Sequence, residues 1–335
     1  MLKKHDKAGL DQYRYFTENI FKGVNAQLEG NVFLPDQFPG KKTFILTDRP
    51  GLKIFEKDLG PLITSLDGFS DEEISNCVFY IYFNHDCDAL SHLKRIKTFG
   101  GIFVPPVLTG KIEYHYANKW AFEALCATER KKDRISHVNI NVWSNIAEAL
   151  DITKNLEGDY VEIGVYLGGS ALLAMNCIEF MRQDNAIKER KMVLIDTFDG
   201  FNYEEAQTSV DQIWKNTHKL YGVKATMDHI HETFKDNSIS YLLLEGNICK
   251  DNLPDDVKKI AVANIDVDMY EPTLDALNKV SDLVVSGGII ICEDAASTPG
   301  LYGGYLAMEE FIESEKGQSY TKIFKGSQYF LLKKQ

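Results

Sequence analysis

Four carboxylates close two apolar runs in this sequence. Asp266 and Asp268 follow Ile260 to Ile265, and Glu293 and Asp294 follow Leu283 to Cys292. An acid at the end of a buried run faces a conflict, because desolvation and like-charge repulsion both oppose its ionisation. A cation or a reaction resolves the conflict. The two runs read as core strands of a parallel sheet, and open α/β sheets bind ligands at the carboxyl ends of such strands. If the strand persists, Asp266 and Asp268 face the same way, and a neighbouring strand brings Glu293 and Asp294 within about 5 Å laterally. An all-oxygen donor set of this kind suits a hard dication, Mg²⁺ or Ca²⁺, with water filling the remaining positions.

A second group of residues has the character of a cofactor pocket. Tyr160-Val-Glu162-Ile-Gly164-Val-Tyr-Leu-Gly168-Gly169-Ser170 runs from strand through a glycine turn into a helix. The glycines let the backbone approach a ligand closely, and a helix start capped by Ser170 offers free N–H groups. Glu162 at the strand end suits a ligand bearing an ammonium group, such as the methionine part of S-adenosylmethionine. The ExGxxxGG spacing departs from the GxGxxG of dinucleotide binders, which weighs against NAD. Asp196 ends a second strand, where it is expected to accept from both hydroxyls of a ribose, while Asp199 before Gly200 reads as an Asx turn. Gly246 and Asn247, after a third strand, offer a turn on which an adenine is expected to stack and be bonded by backbone or amide.

These residues need a scaffold, and the pattern around them supplies one. Strands are expected at Tyr160 to Val165, Met192 to Asp196, Ser240 to Leu244, Ile260 to Ile265 and Leu283 to Cys292, alternating with helices at Ser170 to Met181, Val210 to Leu220 with Thr226 to Phe234, Thr273 to Ser281 and Tyr305 to Ser314. Tyr320 to Phe324 and Tyr329 to Lys333 around Gly326-Ser327 form a hairpin-like pair. The expected architecture is a Rossmann-like α/β sheet of seven strands, mostly parallel with an antiparallel last strand, which is the layout of the class I methyltransferase fold. Residues 1–112 read as a small N-terminal α/β domain, with strands at Lys42 to Thr47 and Cys77 to Phe83, a helix at Asp88 to Lys97 and a strand from Gly101 broken at Pro105-Pro106. A polar, aromatic arm precedes it. Residues 113–335, opening on helices at Trp120 to Arg130 and Val142 to Leu150, form the second domain.

Composition narrows the partners. With 335 residues, 44% hydrophobic and 26% charged, the chain can bury a large core and has no apolar run long enough to span a bilayer. A cytoplasmic location without membrane insertion is expected. The net charge of −12 argues against nucleic acid or an anionic membrane as main partner. Six cysteines without CxxC pairing read as reduced and structural, and the adjacent His85-Asp86-Cys87-Asp88 side chains diverge too much to read as a metal box. His218, His229 and His231 precede the third strand and are candidates to reach the site. The loop from Ala295 to Gly304 is expected to close over substrate, and Tyr270 and Tyr302 to stack on a sugar face.

The run Ile265-Asp266-Val267-Asp268-Met269-Tyr270-Glu271-Pro272-Thr273-Leu274-Asp275-Ala276-Leu277, followed by Ser286-Gly287-Gly288 and Glu293-Asp294, resembles the macrocin O-methyltransferase (TylF) family, as does the turn from Glu162 to Gly169. The resemblance covers about residues 135–335. It implies a metal-dependent O-methyltransferase that moves the methyl of S-adenosylmethionine to a hydroxyl of a sugar or glycosylated substrate. By position it implies Asp266, Glu293 and Asp294 as ligands of a divalent metal, Mg²⁺ foremost, and Asp268 as general base. Glu293 is one methylene longer than the aspartate the family pattern has there. The acceptor would be a small molecule or glycan, and the N-terminal domain, outside the resemblance, is expected to select substrate or make the contacts of a homo-oligomer. Two readings compete: an NAD-dependent oxidoreductase on the same type of sheet, and a binding module that keeps the pocket without chemistry.

Overall fold

The computed structural model describes residues 38–48, 60–83, 86–104, 119–131, 140–219, 221–297, 301–326 and 328–335. The arm before residue 38, His85, the Pro105-Pro106 break, the boundary near residue 112, the loop tip at Pro299-Gly300 and Ser327 lie outside them. The chain divides into two compact units, within residues 10–119 and from Trp120 to Gln335.

The first unit carries β1 (Lys42–Thr47), β2 (Leu62–Ile63), α1 (Asp71–Ser75), β3 (Cys77–Tyr82), α2 (Asp86–Thr98) and β4 (Ile102–Val104). Its strands pair in parallel in the order β2-β1-β3-β4. Leu46, Ile74, Phe79 and Ile96 are fully buried between sheet and helices. The expected β1, β3 and α2 are there; β2 and α1 are additions too short for a periodic signal. A legible signal for α1 was nevertheless present in Ser70-Asp-Glu-Glu73, which folds as a reciprocal capping box.

The second unit opens with α3 (Lys119–Arg130) and α4 (Ile140–Ile152) and continues β5 (Asp159–Ile163), α5 (Gly169–Gln183), β6 (Met192–Asp196), α6 (Glu204–Thr208), α7 (Val223–Phe234), β7 (Tyr241–Glu245), β8 (Ile260–Ile265), α8 (Tyr270–Ser281), β9 (Val284–Cys292), α9 (Asp294–Ser297), α10 (Tyr302–Glu313), β10 (Tyr320–Phe324) and β11 (Tyr329–Lys333). Among the described residues the sheet has seven strands in the order β10-β11-β9-β8-β5-β6-β7. Only β11 runs against the rest, pairing antiparallel with both β9 and β10. The class I methyltransferase architecture is therefore present. Every residue of β8 is buried, as a strand covered on both faces requires.

From β5 the chain builds outward through β6 and β7, then returns to lay β8 on the other side of β5. That reversal opens a crevice beyond the carboxyl ends of β5 and β8, the place where sheets of this type bind ligands. The ladder carries the acids to its rim. Ile163 pairs with Ile265 and Ile265 with Cys292, so Asp266 and Glu293 are the first residues past the paired core.

One expected element fails. In place of a helix from Val210 to Leu220 there is, after α6, a single 3-10 turn at Gln212–Trp214 and an irregular strap to Lys219. Val210 and Ile213 supply an apolar spacing, yet they are 76% and 82% exposed, so they have no core to face. Asp211 instead accepts the backbone N–H of Tyr270, at 3.1 Å, at the open start of α8.

Candidate active site

The crevice is a cleft of about 390 Å³, lined by the turns after β5, β6, β7, β8 and β9. Gly164, Ser170, Asp196, Gly246, Asn247, Asp266, Asp268, Glu293 and Asp294 all line it, whereas Glu162 and Gly168 do not. His218 on the strap also lines it, together with the aromatic rings of Tyr166, Phe198, Phe201 and Tyr203.

The glycine turn owes its shape to two backbone demands. Gly164 has φ +90°, and a Cβ there would lie 1.7 Å from the carbonyl oxygen of Asp266. No side chain fits at that position, so the first strand end and the acid-bearing loop touch backbone to backbone. Gly168, at φ +81°, occupies the cap position of α5, with Phe234 close behind it. Ser170 consequently lies inside the helix, not at its cap as expected, and its hydroxyl donates to Glu162 at 2.7 Å.

Glu162 is fully buried. It accepts from the Tyr160 hydroxyl at 2.5 Å as well as from Ser170. The Asn264 amide, next to it on β8, opposes the rise of its pKa without making a hydrogen bond of full geometry. Desolvation raises the carboxyl to about 7 against the pull of these partners. The expected contact with a ligand ammonium is not the arrangement seen: Glu162 braces the turn from behind.

Asp196 accepts the backbone N–H groups of Val165, Tyr166 and Phe198 at 2.7, 2.8 and 2.7 Å. A carboxylate has about four acceptor positions, so room remains for one more donor, not for the two ribose hydroxyls expected. Burial raises its pKa and these three bonds work against the rise. The Asn247 amide is similarly engaged, donating to Glu205 at 2.9 Å and accepting from the N–H of Cys249 at 3.0 Å.

The acids after β8 and β9 are placed differently. The strand stops at Ile265, and a left-handed Asp268, φ +63°, turns the chain so that Asp266, Asp268 and Asp294 each bring a carboxylate oxygen within 4.8 Å of the others. Convergence thus comes from a turn and not from the period of a persisting strand. One backbone N–H, that of Asp268, serves Asp294 Oδ2 at 2.7 Å. Asp294 is 5% exposed and its Oδ1 has no partner. Desolvation first, then the neighbouring acids, hold Asp266 and Asp294 well above the usual carboxylate range; Asp268 is raised by burial, with the Asp294 side chain and then the His218 imidazole acting against the rise. Glu293 lines the cleft and its charge presses on Asp266, but it stands outside the cluster of three, while Asp268, expected as a base, stands inside it.

Other expectations fall outside the cleft. His229 and His231 lie on α7, and His231 meets the Tyr241 hydroxyl at 2.7 Å. Tyr302 is 77% exposed and Tyr270 donates to Glu310, so neither ring faces the site. Left-handed φ at non-glycine residues is concentrated here: Tyr166 (51°), Phe198 (51°), His218 (62°) and Asp268 (63°) all line the cleft, whereas Asn185 and Asn216 are the others among the described residues. No sequence signal marks an aromatic residue for that conformation.

Comparison with known proteins adds chemistry to this geometry. The family model described as Macrocin-O-methyltransferase (TylF) matches residues 132–319, more than half of the chain. The chain is similar to the 8-demethyl-8-(2,3-dimethoxy-alpha-L-rhamnosyl)-tetracenomycin-C 4'-O-methyltransferase of Streptomyces olivaceus, 29% identical over 153 residues, 43% of this chain and 56% of that protein. It is also similar to the demethyldecarbamoylnovobiocin O-methyltransferase of Streptomyces niveus, 26% identical over 171 residues, 48% of this chain and 63% of that protein. The match thus spans less than two thirds of the length of either curated relative. Among solved structures, the O-methyltransferase NovP gives a TM-score of 0.49 at 18% identity, over 62% of this chain and 87% of that one.

Proposed function

Because the chain belongs to the macrocin-O-methyltransferase (TylF) family, matched over residues 132–319, we propose that it moves the methyl group of S-adenosylmethionine to a hydroxyl of a sugar or glycosylated small molecule. The observation that carries this reading is the contact of Gly164 with the Asp266 carbonyl, which sets a cofactor-type glycine turn beside the acid cluster in one cleft. The family match disfavours the nicotinamide oxidoreductase reading. The names of the two Streptomyces relatives, both O-methyltransferases and one naming a rhamnosyl group, support a glycosylated acceptor.

The donor set fits a divalent metal, Mg²⁺ by preference. Three carboxylates within 4.8 Å, one with a buried oxygen that has no partner, are what a hard cation satisfies and what protein donors here do not. Asp266, Asp268 and Asp294 would hold it. Bound there, it would lower the pKa of an acceptor hydroxyl and fix its position.

The chain's own residues supply the rest. Asp196, aligned by three N–H groups, has one acceptor position left for the cofactor, and the backbone beyond Gly164 is open to close approach. Phe198, Phe201 and Tyr203 form an apolar wall that keeps water from a sulfonium methyl. Holding donor and hydroxyl in line removes much of the entropic barrier to transfer. The test is a methyl-transfer screen with S-adenosylmethionine against rhamnosides, galactosides and glucosides bearing vicinal hydroxyls, with and without EDTA. Release of S-adenosylhomocysteine with a +14 Da product, lost in EDTA and restored by Mg²⁺, is expected. Transfer that EDTA leaves untouched would remove the metal from the reading, and no transfer to any acceptor of the panel would remove the activity.

A further inference from the structure

The turn after β7 lines one end of the cleft with Gly246, Asn247 and Ile248. Its donors are almost all spent. The Gly246 N–H goes to the Asp196 carbonyl at 2.9 Å, that of Asn247 to the Asp251 carboxylate at 2.7 Å and that of Cys249 to Asn247 Oδ1 at 3.0 Å. The N–H groups of Lys250 and Asp251 both go to the Asn247 carbonyl, at 2.9 and 2.7 Å. The Ile248 N–H alone makes no hydrogen bond with a described residue. A backbone donor left open at a cleft is a place for a ligand acceptor.

What holds this turn comes from outside the cleft. Lys279, on α8, donates to three main-chain carbonyls of the turn, those of Ile248 at 2.5 Å, Asp251 at 2.8 Å and Cys249 at 3.5 Å. An ammonium has three hydrogens and accepts nothing, so these bonds account for the whole group. Lys279 does not line the cleft. Its charge is directed at the dipoles of one turn, which makes it a fixture of that turn and not a ligand contact.

Planarity converts these bonds into a direction. The peptide between Asn247 and Ile248 has its carbonyl drawn into the turn by the N–H groups of Lys250 and Asp251. Its own N–H, on the opposite side of a trans peptide, therefore points out of the turn. The next peptide is held by Lys279 at the Ile248 carbonyl and by Asn247 at the Cys249 N–H. Both peptides that flank the Ile248 Cα are pinned, and the Ile248 side chain packs in the hydrophobic core. Without Lys279 the second of them keeps one bond and gains freedom to rotate.

On the methyl-transfer reading above, we propose that Lys279 is a positioning residue for the cofactor, one that aims the Ile248 N–H at ring nitrogen N1 of the adenine. The register of the sheet carries the choice of N1. On this reading the ribose lies at Asp196, on β6, and the turn follows Glu245 of β7, the residue paired with Asp196 one strand farther out. An adenine that reaches from the ribose to this turn presents the ring edge farthest from its sugar, where N1 accepts a hydrogen bond. The Asn247 amide is spent on Glu205 and Cys249, so the backbone N–H of Ile248 is the donor that remains.

Calorimetric titration of the full chain with S-adenosylhomocysteine and with its 1-deaza analogue, in which a C–H replaces N1, tests the assignment. The wild type should bind the parent on the order of 10-fold more tightly than the analogue. Lys279→Met, close in length and uncharged, should weaken the parent on the order of 10-fold and the analogue less than about threefold, so that the preference collapses. Lys279→Gln, a second way to remove the charge, should do the same. On the best acceptor of the panel both variants should raise the KM for S-adenosylmethionine and leave kcat within about twofold. A wild type that binds both ligands alike overturns the contact with N1. Equal weakening of the two ligands in either variant overturns the role of Lys279, because a general loosening of the fold does not distinguish N1 from a C–H. No binding of S-adenosylhomocysteine by the wild type would overturn the proposed activity together with this role, whereas N1-selective binding that survives both substitutions overturns only the role.

Discussion

The two ends of the cleft treat their acids in opposite ways. On the β5–β6 side Glu162 receives two hydroxyl donors and Asp196 three backbone N–H groups, so each buried carboxylate is answered by the protein itself. On the β8–β9 side three aspartates share a single N–H, and one oxygen of Asp294 has no partner at all. Both ends were built from strand termini of the same sheet, with similar residues. The difference separates acids that shape a pocket from acids that wait for a ligand, and the density of donors around each reveals it, not the residue type.

Removing an acid from the unanswered end is the strongest way to break the comparison. Asp294→Asn and Asp266→Asn should each lower metal-supported turnover on the order of 100-fold or more, while raising the melting temperature of the metal-free protein, because each relieves like-charge repulsion among buried groups. Scanning calorimetry with and without Mg²⁺ checks it: the wild type should gain stability from the ion and the variants should not. A wild type indifferent to Mg²⁺ and Mn²⁺ would put both ends in the same class.

The next largest effect tests the join between the ends. Gly164→Ala sets a methyl group against the Asp266 carbonyl on a left-handed backbone, and should cost about 4 kcal/mol of stability by urea unfolding. A cost below about 1 kcal/mol would mean that the two turns are not in fixed contact.

Glu162 gives the smallest and sharpest test. Its folded pKa of about 7 lies above the ordinary carboxylate value. The folded protein therefore binds the proton more tightly than the unfolded chain, so this group's contribution is fully present below about pH 4.5 and is lost as pH rises through 7. Across that window wild-type stability should carry a falling component on the order of 3 kcal/mol that Glu162→Gln lacks. Parallel stability curves for the two proteins between pH 5 and 8 would show that the hydroxyl donors, and not burial, dominate at this end.

The sheet was legible because parallel strands buried on both faces announce themselves as apolar runs, and β6 and β8 begin and end where the sequence places them, as do β10 and β11 on either side of Gly326. The acids were legible because they terminate those runs. What escaped was decided by partners remote in sequence. The strap from Ser209 to Lys219 has helical spacing of its apolar residues, but the open N–H groups of α8 and the backbone of Phe201 outcompete a helix there. The cluster of three depended on the turn at Asp268, which no period predicts. Ser170 has the residue type of a cap, yet Gly168 takes that place because only a left-handed residue closes the turn, and the hydroxyl is left to serve Glu162.

The four left-handed side chains of the cleft have a consequence for how this protein can change. Replacing a left-handed residue by glycine removes a steric penalty of about 1–2 kcal/mol. Selection for thermal endurance alone therefore has favourable steps open to it at exposed His218 and at like-charged Asp268, whereas at Phe198, 5% exposed, the lost burial outweighs the relief. Each of those two steps erases the imidazole or a carboxylate of the cleft. Evolved without a screen for activity, this scaffold would drift toward a sturdier protein with an empty pocket, so its heat tolerance and its chemistry are inherited in opposition.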